Sequence, residues 1–267
     1  DIIKNYPKTY GAKQAGSLRG QILQKALMAN VEHINLPSQA ILAKIDFRNA
    51  SKAFFNIVKL NDNDLRAFEK AGYDTGKRIE LFKKLKPVKT WSQNLPDDGD
   101  FQNHSVEIII NALPLGHYAL LVSDNQQFKS EGGAVGYLLY QVSNLAYLQK
   151  QYEAGNHEFV VVHRNSGEPL EGVQVEIFKT TYDYHDGQSE RKRQSLGKFN
   201  SDRDGFVRPK IPQNIQYEIE LRKGDDRLLP ENNYYTGTYF NEPRSEQFTY
   251  FFTDRNIYRP GQTIYFK

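Results

Sequence analysis

The sequence contains no cysteine. This absence excludes disulfide bonds, thiolate metal sites and cysteine nucleophiles from the chain. The sequence also lacks an apolar run of the ~18 residues that a membrane-spanning helix requires. No charged-then-apolar signal segment follows Asp1, so we expect that any signal or lipid anchor has been removed or lies upstream.

A large excess of one charge is missing as well. The chain carries 35 basic and 32 acidic side chains, a net charge of +3. Such a balance does not by itself predict binding to nucleic acid or to anionic lipid. Methionine and tryptophan occur once each, whereas there are 17 tyrosines and 16 phenylalanines. Aromatic residues of this kind favour the half-buried surface of a sheet. Composition therefore predicts an all-β protein.

Alternation of apolar and polar residues predicts strands along most of the chain. The segments with this pattern are 41–48, 54–58, 106–110, 119–122, 158–164, 173–177 and 217–222. Helical spacing is confined to residues 12–25 and to two short stretches, Leu65 to Gly72 and Arg78 to Leu85. Regular strands without alternating helices predict antiparallel sandwiches, with a short N-terminal helix and a helical insertion.

The last eighteen residues have the pattern of a strand, a tight turn and a second strand. Pro260 suits the first central position of a type II turn, and Gly261 can adopt the positive φ of the second. Because the sequence stops at Lys267, inside the second strand, we expect the chain to be a fragment of a longer protein.

This C-terminal stretch resembles the opening motif of a macroglobulin-like domain in the alpha-2-macroglobulin superfamily, and most closely its bacterial branch. The residues that carry the resemblance are Asp254, Arg255, Tyr258, Arg259, Pro260 and Gly261. Two further turns, at residues 113–118 and 165–172, are similar to turns of immunoglobulin-like and macroglobulin-like sandwiches. The resemblance covers residues 26–267 and is most specific at its end.

The resemblance implies a domain division. We expect a helical lead-in at 1–25, a macroglobulin-like sandwich at 26–143, and a second macroglobulin-like or transthyretin-like sandwich at 144–245. Residues 246–267 would form the first hairpin of a truncated third domain.

The resemblance also implies structural domains of a bacterial broad-spectrum protease inhibitor, in the periplasm or cell envelope. Its partners would be proteases, met through the full-length protein, and further macroglobulin domains of the same chain. The thioester that some relatives use needs a cysteine, so it is excluded here. We expect no enzymatic activity and no cofactor, because no nucleophile elbow or phosphate-binding loop occurs. The alternative is a cell-envelope module that binds glycan or protein.

Tyr234, Tyr235 and Tyr239 are the best candidates for such a binding surface, because tyrosine offers a large contact area at a low entropy cost. Packing inside the protein explains the same cluster more simply, and we favour that interpretation. The run Arg191-Lys192-Arg193 is interpreted as a charged loop tip. Glu218 and Glu220 alternate with the apolar residues Tyr217, Ile219 and Leu221, which predicts a strand.

One pattern raises the question of a metal site. Asn200, Asp202, Asp204 and Gly205 match the start of a calcium loop, but Ile211 occupies the position where a bidentate glutamate is needed. The same residues are typical of an Asx turn between strands, which is our prediction. The six histidines show no ligand spacing. We therefore expect no metal.

Overall fold

The computed structural model describes residues 2–96, 98–151, 157–185 and 188–237, together with Gly261, Thr263 and Ile264. Strands dominate this part of the chain, which confirms the predicted all-β class. The helices are α1 (Ile2–Asn5), α2 (Tyr10–Leu23), α3 (Asp62–Lys70) and α4 (Thr75–Lys83). The strands of the first half are β1 (Ala26–Val31), β2 (Ile34–Asn35), β3 (Ile41–Arg48), β4 (Lys52–Leu60), β5 (Pro87–Asn94), β6 (His104–Ile110), β7 (Gly116–Ser123) and β8 (Val135–Val142). Those of the second half are β9 (Leu145–Gln151), β10 (His157–His163), β11 (Gln174–His185), β12 (Gln188–Asn200), β13 (Phe206–Val207), β14 (Gln216–Lys223), β15 (Asp226–Leu228) and β16 (Tyr234–Tyr235).

The first half forms a sandwich of two sheets. One sheet has the order β1-β3-β6, and the other has the order β2-β8-β7-β4-β5. All neighbouring strands are antiparallel except β2 and β8. In β3 the residues Ile41, Ala43, Ile45 and Phe47 are buried while their neighbours are not, so the alternation in the sequence corresponds to the two faces of the strand.

Helices α3 and α4 cover the outer face of the five-stranded sheet. Because β7 lies between these helices and the opposite sheet, every residue from His117 to Ser123 is buried. Both helices begin three residues before the predicted starts at Leu65 and Arg78. The first residues of each helix are not apolar, so helical spacing of apolar residues does not reveal them. The side chains of Asn61 and Asp74 cap the N-termini of α3 and α4.

The second half forms another sandwich. Its sheets have the orders β13-β10-β9 and β12-β11-β14-β15, and β16 pairs with the other end of β14. Strands β11 and β12 form a long hairpin that pairs Gln174 with Asn200 at its base and His185 with Gln188 near its tip. The run Arg191-Lys192-Arg193 lies within β12, so the predicted loop tip is wrong.

The loop after β12 is an Asx turn. The carboxylate of Asp202 accepts hydrogen bonds from the backbone N–H groups of Asp204 and Phe206, at 3.0 and 2.8 Å. Gly205 has a φ of 79°, and a Cβ atom there would lie 2.4 Å from the backbone oxygen of Val161. The turn therefore requires glycine both for its backbone angle and for the close approach of β10.

This close approach predicts that Gly205→Ala lowers the free energy of unfolding by about 3 kcal/mol, since strain and a backbone clash act together. Gly224→Ala is the matched control, because Gly224 has a φ of 58° with open space around it. We expect the control to cost about 1 kcal/mol. Urea unfolding of the three proteins measures the difference, and equal midpoints for the two variants would contradict the clash.

Candidate functional site

Two of the three predicted binding tyrosines belong to the described residues. Tyr234 and Tyr235 make up β16, whereas Tyr239 lies outside the described residues. Asp254, Arg255, Tyr258, Arg259 and Pro260 also lie outside the described residues. Gly261 is described, and its φ of 84° has the sign that the predicted turn requires.

Tyr234 belongs to a hydrogen-bonded aromatic cluster inside the second sandwich. Its ring stacks on that of Tyr217, with centroids 5.2 Å apart, and its hydroxyl is hydrogen-bonded to that of Tyr147. Asn232 donates to both of these hydroxyls, at 3.4 Å for Tyr147 and 3.3 Å for Tyr234. Tyr234 therefore packs against the core, and only Tyr235, which is 47% exposed, presents a ring to solvent in β16.

The base of this cluster is closed by a buried histidine. The hydroxyl of Tyr217 accepts a hydrogen bond from Gln149 at 2.8 Å and lies 3.0 Å from Nδ1 of His157. Burial lowers the pKa of His157 and raises the pKa values of Tyr147 and Tyr217. A neutral imidazole and protonated phenols stabilise the sandwich, but they offer no nucleophile and no cation at neutral pH.

A group of charged side chains that was not predicted from the sequence lies between the two sandwiches. Glu218 and Glu220 of β14 are only 6% and 4% exposed, so both carboxylates are buried. Arginine side chains from three strands surround the two carboxylates. These arginines are Arg191, Arg193, Arg222 and Arg227. We call the two glutamates and four arginines the charged layer.

A bidentate contact in the charged layer joins Arg227 to Glu220. Arg227 donates from Nε and Nη2 to the two carboxylate oxygens at 2.8 and 3.0 Å, and Arg222 donates to Glu220 at 2.7 Å. Burial alone would raise the pKa of Glu220, but the hydrogen bonds and charges of these arginines outweigh burial and hold its pKa below the usual value. Glu220 is therefore an anion at neutral pH, and its cost of burial is offset by the arginines around it.

Helix α3 of the first sandwich contributes the outer anions of the charged layer. Asp62, in its first turn, pairs with Arg227 and lies 3.8 Å from Arg222. Glu69, in its last turn, pairs with Arg191 at 3.0 Å. Arg191 and Arg227 each join a carboxylate of the first sandwich to a buried carboxylate of the second.

His117 of β7 lies beneath the same contact. Burial, followed by the positive charge of Arg227, lowers the pKa of His117 to about 4, although Asp62 and Glu220 act in the opposite direction. No described residue forms a hydrogen bond with its Nε2 atom. The imidazole is therefore neutral at physiological pH and adds no charge to the charged layer.

The chain between the sandwiches is also fixed. Only Ser143 and Asn144 separate β8 from β9, and Asp226 accepts hydrogen bonds from the Ser143 hydroxyl and the Asn144 backbone N–H at 2.7 and 2.8 Å. The side-chain amide of Gln141 accepts a hydrogen bond from the backbone N–H of Leu229 at 2.8 Å and donates one to the carbonyl oxygen of Leu229 at 2.6 Å. The linker therefore has little freedom to bend.

Features of a catalytic or metal centre are not found in the part of the chain that the structure describes. No three histidine or carboxylate side chains there converge on a common point. A cleft of about 290 Å³ lies beside Arg164 and Glu32 at the junction, but it brings together no pair of groups suited to acid–base chemistry. None of the described helices is long and apolar enough to cross a membrane.

Comparison with known proteins finds similarity in three-dimensional structure only. No protein-family model and no curated protein matches the sequence. A fragment of native alpha-2-macroglobulin from Escherichia coli, spanning domains MG0, NIE and MG1, matches with a TM-score of 0.53 at 14% identity. The chain has an alpha-2-macroglobulin-like fold. This match covers 78% of the chain and 63% of the fragment, so the chain spans less than two thirds of that fragment's length.

A shorter fragment of the same Escherichia coli protein, spanning NIE and MG1, has a TM-score of 0.50 at 14% identity. The match covers 76% of the chain and 95% of that fragment. These likenesses confirm the sequence resemblance at the level of the fold.

The charged layer predicts that Glu220→Gln lowers the free energy of unfolding by about 3 kcal/mol, because Arg222 and Arg227 lose a buried anion. Asp183→Asn is the matched control. It removes a carboxylate that pairs with Lys192 on the exposed hairpin, and we expect a loss below about 1 kcal/mol. Urea unfolding at pH 7 measures both, and a Glu220 variant as stable as the control would show that the buried carboxylate contributes little.

Proposed function

We propose that the chain supplies structural sandwiches to a bacterial alpha-2-macroglobulin-like protein whose full-length form inhibits proteases by trapping them. The observation that carries this proposal is the likeness in fold to domains of Escherichia coli alpha-2-macroglobulin. The C-terminal motif of residues 254–261 supports the same family. In this proposal the partners are proteases, and the protein resides in the periplasm or cell envelope.

Within such a protein the described sandwiches would act as a rigid spacer. The charged layer and the Asp226 contacts hold the second sandwich at a fixed orientation to the first. A cage that excludes large substrates needs walls that keep their shape, and two sandwiches in a fixed orientation meet that requirement. Function on this view depends on geometry, with no reacting side chain in these residues.

Binding of glycan or protein by a cell-envelope module is the second candidate. Tyr182 and Tyr235 favour it, because their rings are 41% and 47% exposed. The internal hydrogen bonds of Tyr234 weigh against it, since they hold one of the three predicted binding tyrosines against the core.

A protection assay tests the trapping proposal. The full-length protein and this chain are each incubated with a serine endopeptidase, and digestion of a bulky protein substrate is compared with that of a short peptide substrate. We expect the full-length protein to slow digestion of the bulky substrate only, because a caged protease remains open to small molecules. The chain alone should protect neither substrate.

Two outcomes would contradict this expectation. Protection of the bulky substrate by the chain alone would place an inhibitory surface within residues 1–267. Protection by neither protein would favour the binding module, and substitution of Tyr235 would then be the first step in locating its surface.

A further inference from the structure

The N-terminal helical segment, defined as residues 2–25, has a charge pattern unlike that of the rest of the chain. Residues 2–31 contain no aspartate or glutamate, although the whole chain carries nearly equal numbers of acidic and basic side chains. Five basic residues fall in this stretch. They are Lys4, Lys8, Lys13, Arg19 and Lys25. The segment is therefore a local cationic surface on a nearly neutral protein.

The same segment exposes large apolar side chains. Leu18 and Ile22 are four residues apart on one face of α2, and they are 58% and 43% exposed. Tyr6, Tyr10 and Leu23 are exposed as well. A segment that exposes both cations and apolar side chains can bind an anionic lipid interface, where the charges meet the headgroups and the apolar side chains are buried beneath them.

Only the N-terminal end of α2 packs against other described residues. Helix α1 covers its beginning, where Ile2 lies close to Gly11 and Ala12 is buried. Every residue from Ser17 to Lys25 is exposed. The apolar side chains of this half therefore make little contact with the described residues, and their burial against another surface would be favourable.

The segment is joined firmly to the first sandwich at its C-terminal end. Asn49 donates hydrogen bonds to the carbonyl oxygens of Ile22 and Gln24 at 2.7 and 3.0 Å, and Lys25 pairs with Asp124 at 2.7 Å. A surface that binds α2 would therefore hold the sandwich as well.

We propose that the N-terminal helical segment docks the protein onto an anionic lipid bilayer. Lys4, Lys8, Lys13 and Arg19 would lie among the lipid headgroups, while Lys25 stays paired with Asp124. Leu18 and Ile22 would enter the boundary between headgroups and acyl chains. Lysine and arginine have long apolar stems, so they can keep their charges at the headgroups while the helix lies deeper. The absence of acidic side chains favours an anionic bilayer over a neutral one.

Flotation of the whole chain with lipid vesicles tests this proposal. One set of vesicles contains phosphatidylcholine alone, and the other contains about a third phosphatidylglycerol. We expect binding to the anionic vesicles at low salt, weak binding to the neutral ones, and loss of binding at high salt, since salt screens the charges.

Paired substitutions locate the surface. Lys13→Gln with Arg19→Gln should weaken vesicle binding more than tenfold, because each cation near an anionic membrane contributes about fivefold to the affinity. Lys70→Gln with Lys86→Gln changes the net charge equally at exposed positions elsewhere and should leave binding nearly unchanged. Leu18→Gln with Ile22→Gln should abolish binding, while Leu42→Thr with Ile109→Thr, also exposed, should not.

Several results would overturn the proposal. One is the absence of binding to anionic vesicles at low salt, and another is equal binding to both vesicle types. Equal losses in the test and control pairs would show that overall charge or apolarity acts instead of this segment. Self-association that Leu18→Gln with Ile22→Gln removes, without vesicle binding, would identify a contact between copies of the chain.

Discussion

Burial of Glu218 and Glu220 is the constraint on which the arrangement of the two sandwiches depends. A carboxylate removed from water without partners costs several kcal/mol, and two adjacent carboxylates also repel each other. Arginines from β12, β14 and β15 compensate these charges, and two of those arginines also bind Asp62 and Glu69 of α3. Separation of the sandwiches would break these contacts and leave the charge balance of the layer incomplete.

The architecture of the first sandwich places α3 where the charged layer needs it. Residues on the outer face of the five-stranded sheet, among them Leu121, hold α3 and α4 through an apolar cluster centred on Phe82. Asn61 caps the start of α3, so that Asp62 lies in its first turn, beside Arg227. The two-residue linker and its hydrogen bonds to Asp226 also hold the two sandwiches in one orientation. Relative motion is the usual expectation for neighbouring domains, and these contacts oppose it.

The sequence predicted those features that depend on local pattern. The alternation from Ile41 to Phe47 corresponds to β3, and Asp202 forms the Asx turn that the residues around it indicate. The fold class followed from many such segments together. Each of these predictions needs only the chemistry of neighbouring residues, because strand faces and tight turns are determined over a few positions.

Features that depend on distant residues could not be predicted in this way. Glu218 and Glu220 alternate with apolar residues in the sequence, but both are buried among arginines, two of which pair with Asp62 and Glu69 of α3. The run Arg191-Lys192-Arg193 was predicted to be a loop tip, but it lies in β12, which extends almost to the tip of the hairpin. That hairpin is held by main-chain pairing and by ion pairs such as Lys192 with Asp183. Glu220 has partners two and seven positions away, Arg222 and Arg227, but the pairs Arg191–Glu218 and Arg227–Asp62 join residues 27 and 165 positions apart.

The central claim, that the charged layer fixes the orientation of the two sandwiches, is tested most directly by a distance distribution between them. The chain has no cysteine, so spin labels on Ser92→Cys in β5 and Gln213→Cys before β14 would attach at those positions alone. Both residues are exposed. Pulsed electron spin resonance should give one narrow distance peak, which broadens when Glu220→Gln is added. A broad or multiple distribution in the protein with Glu220 intact would contradict the account.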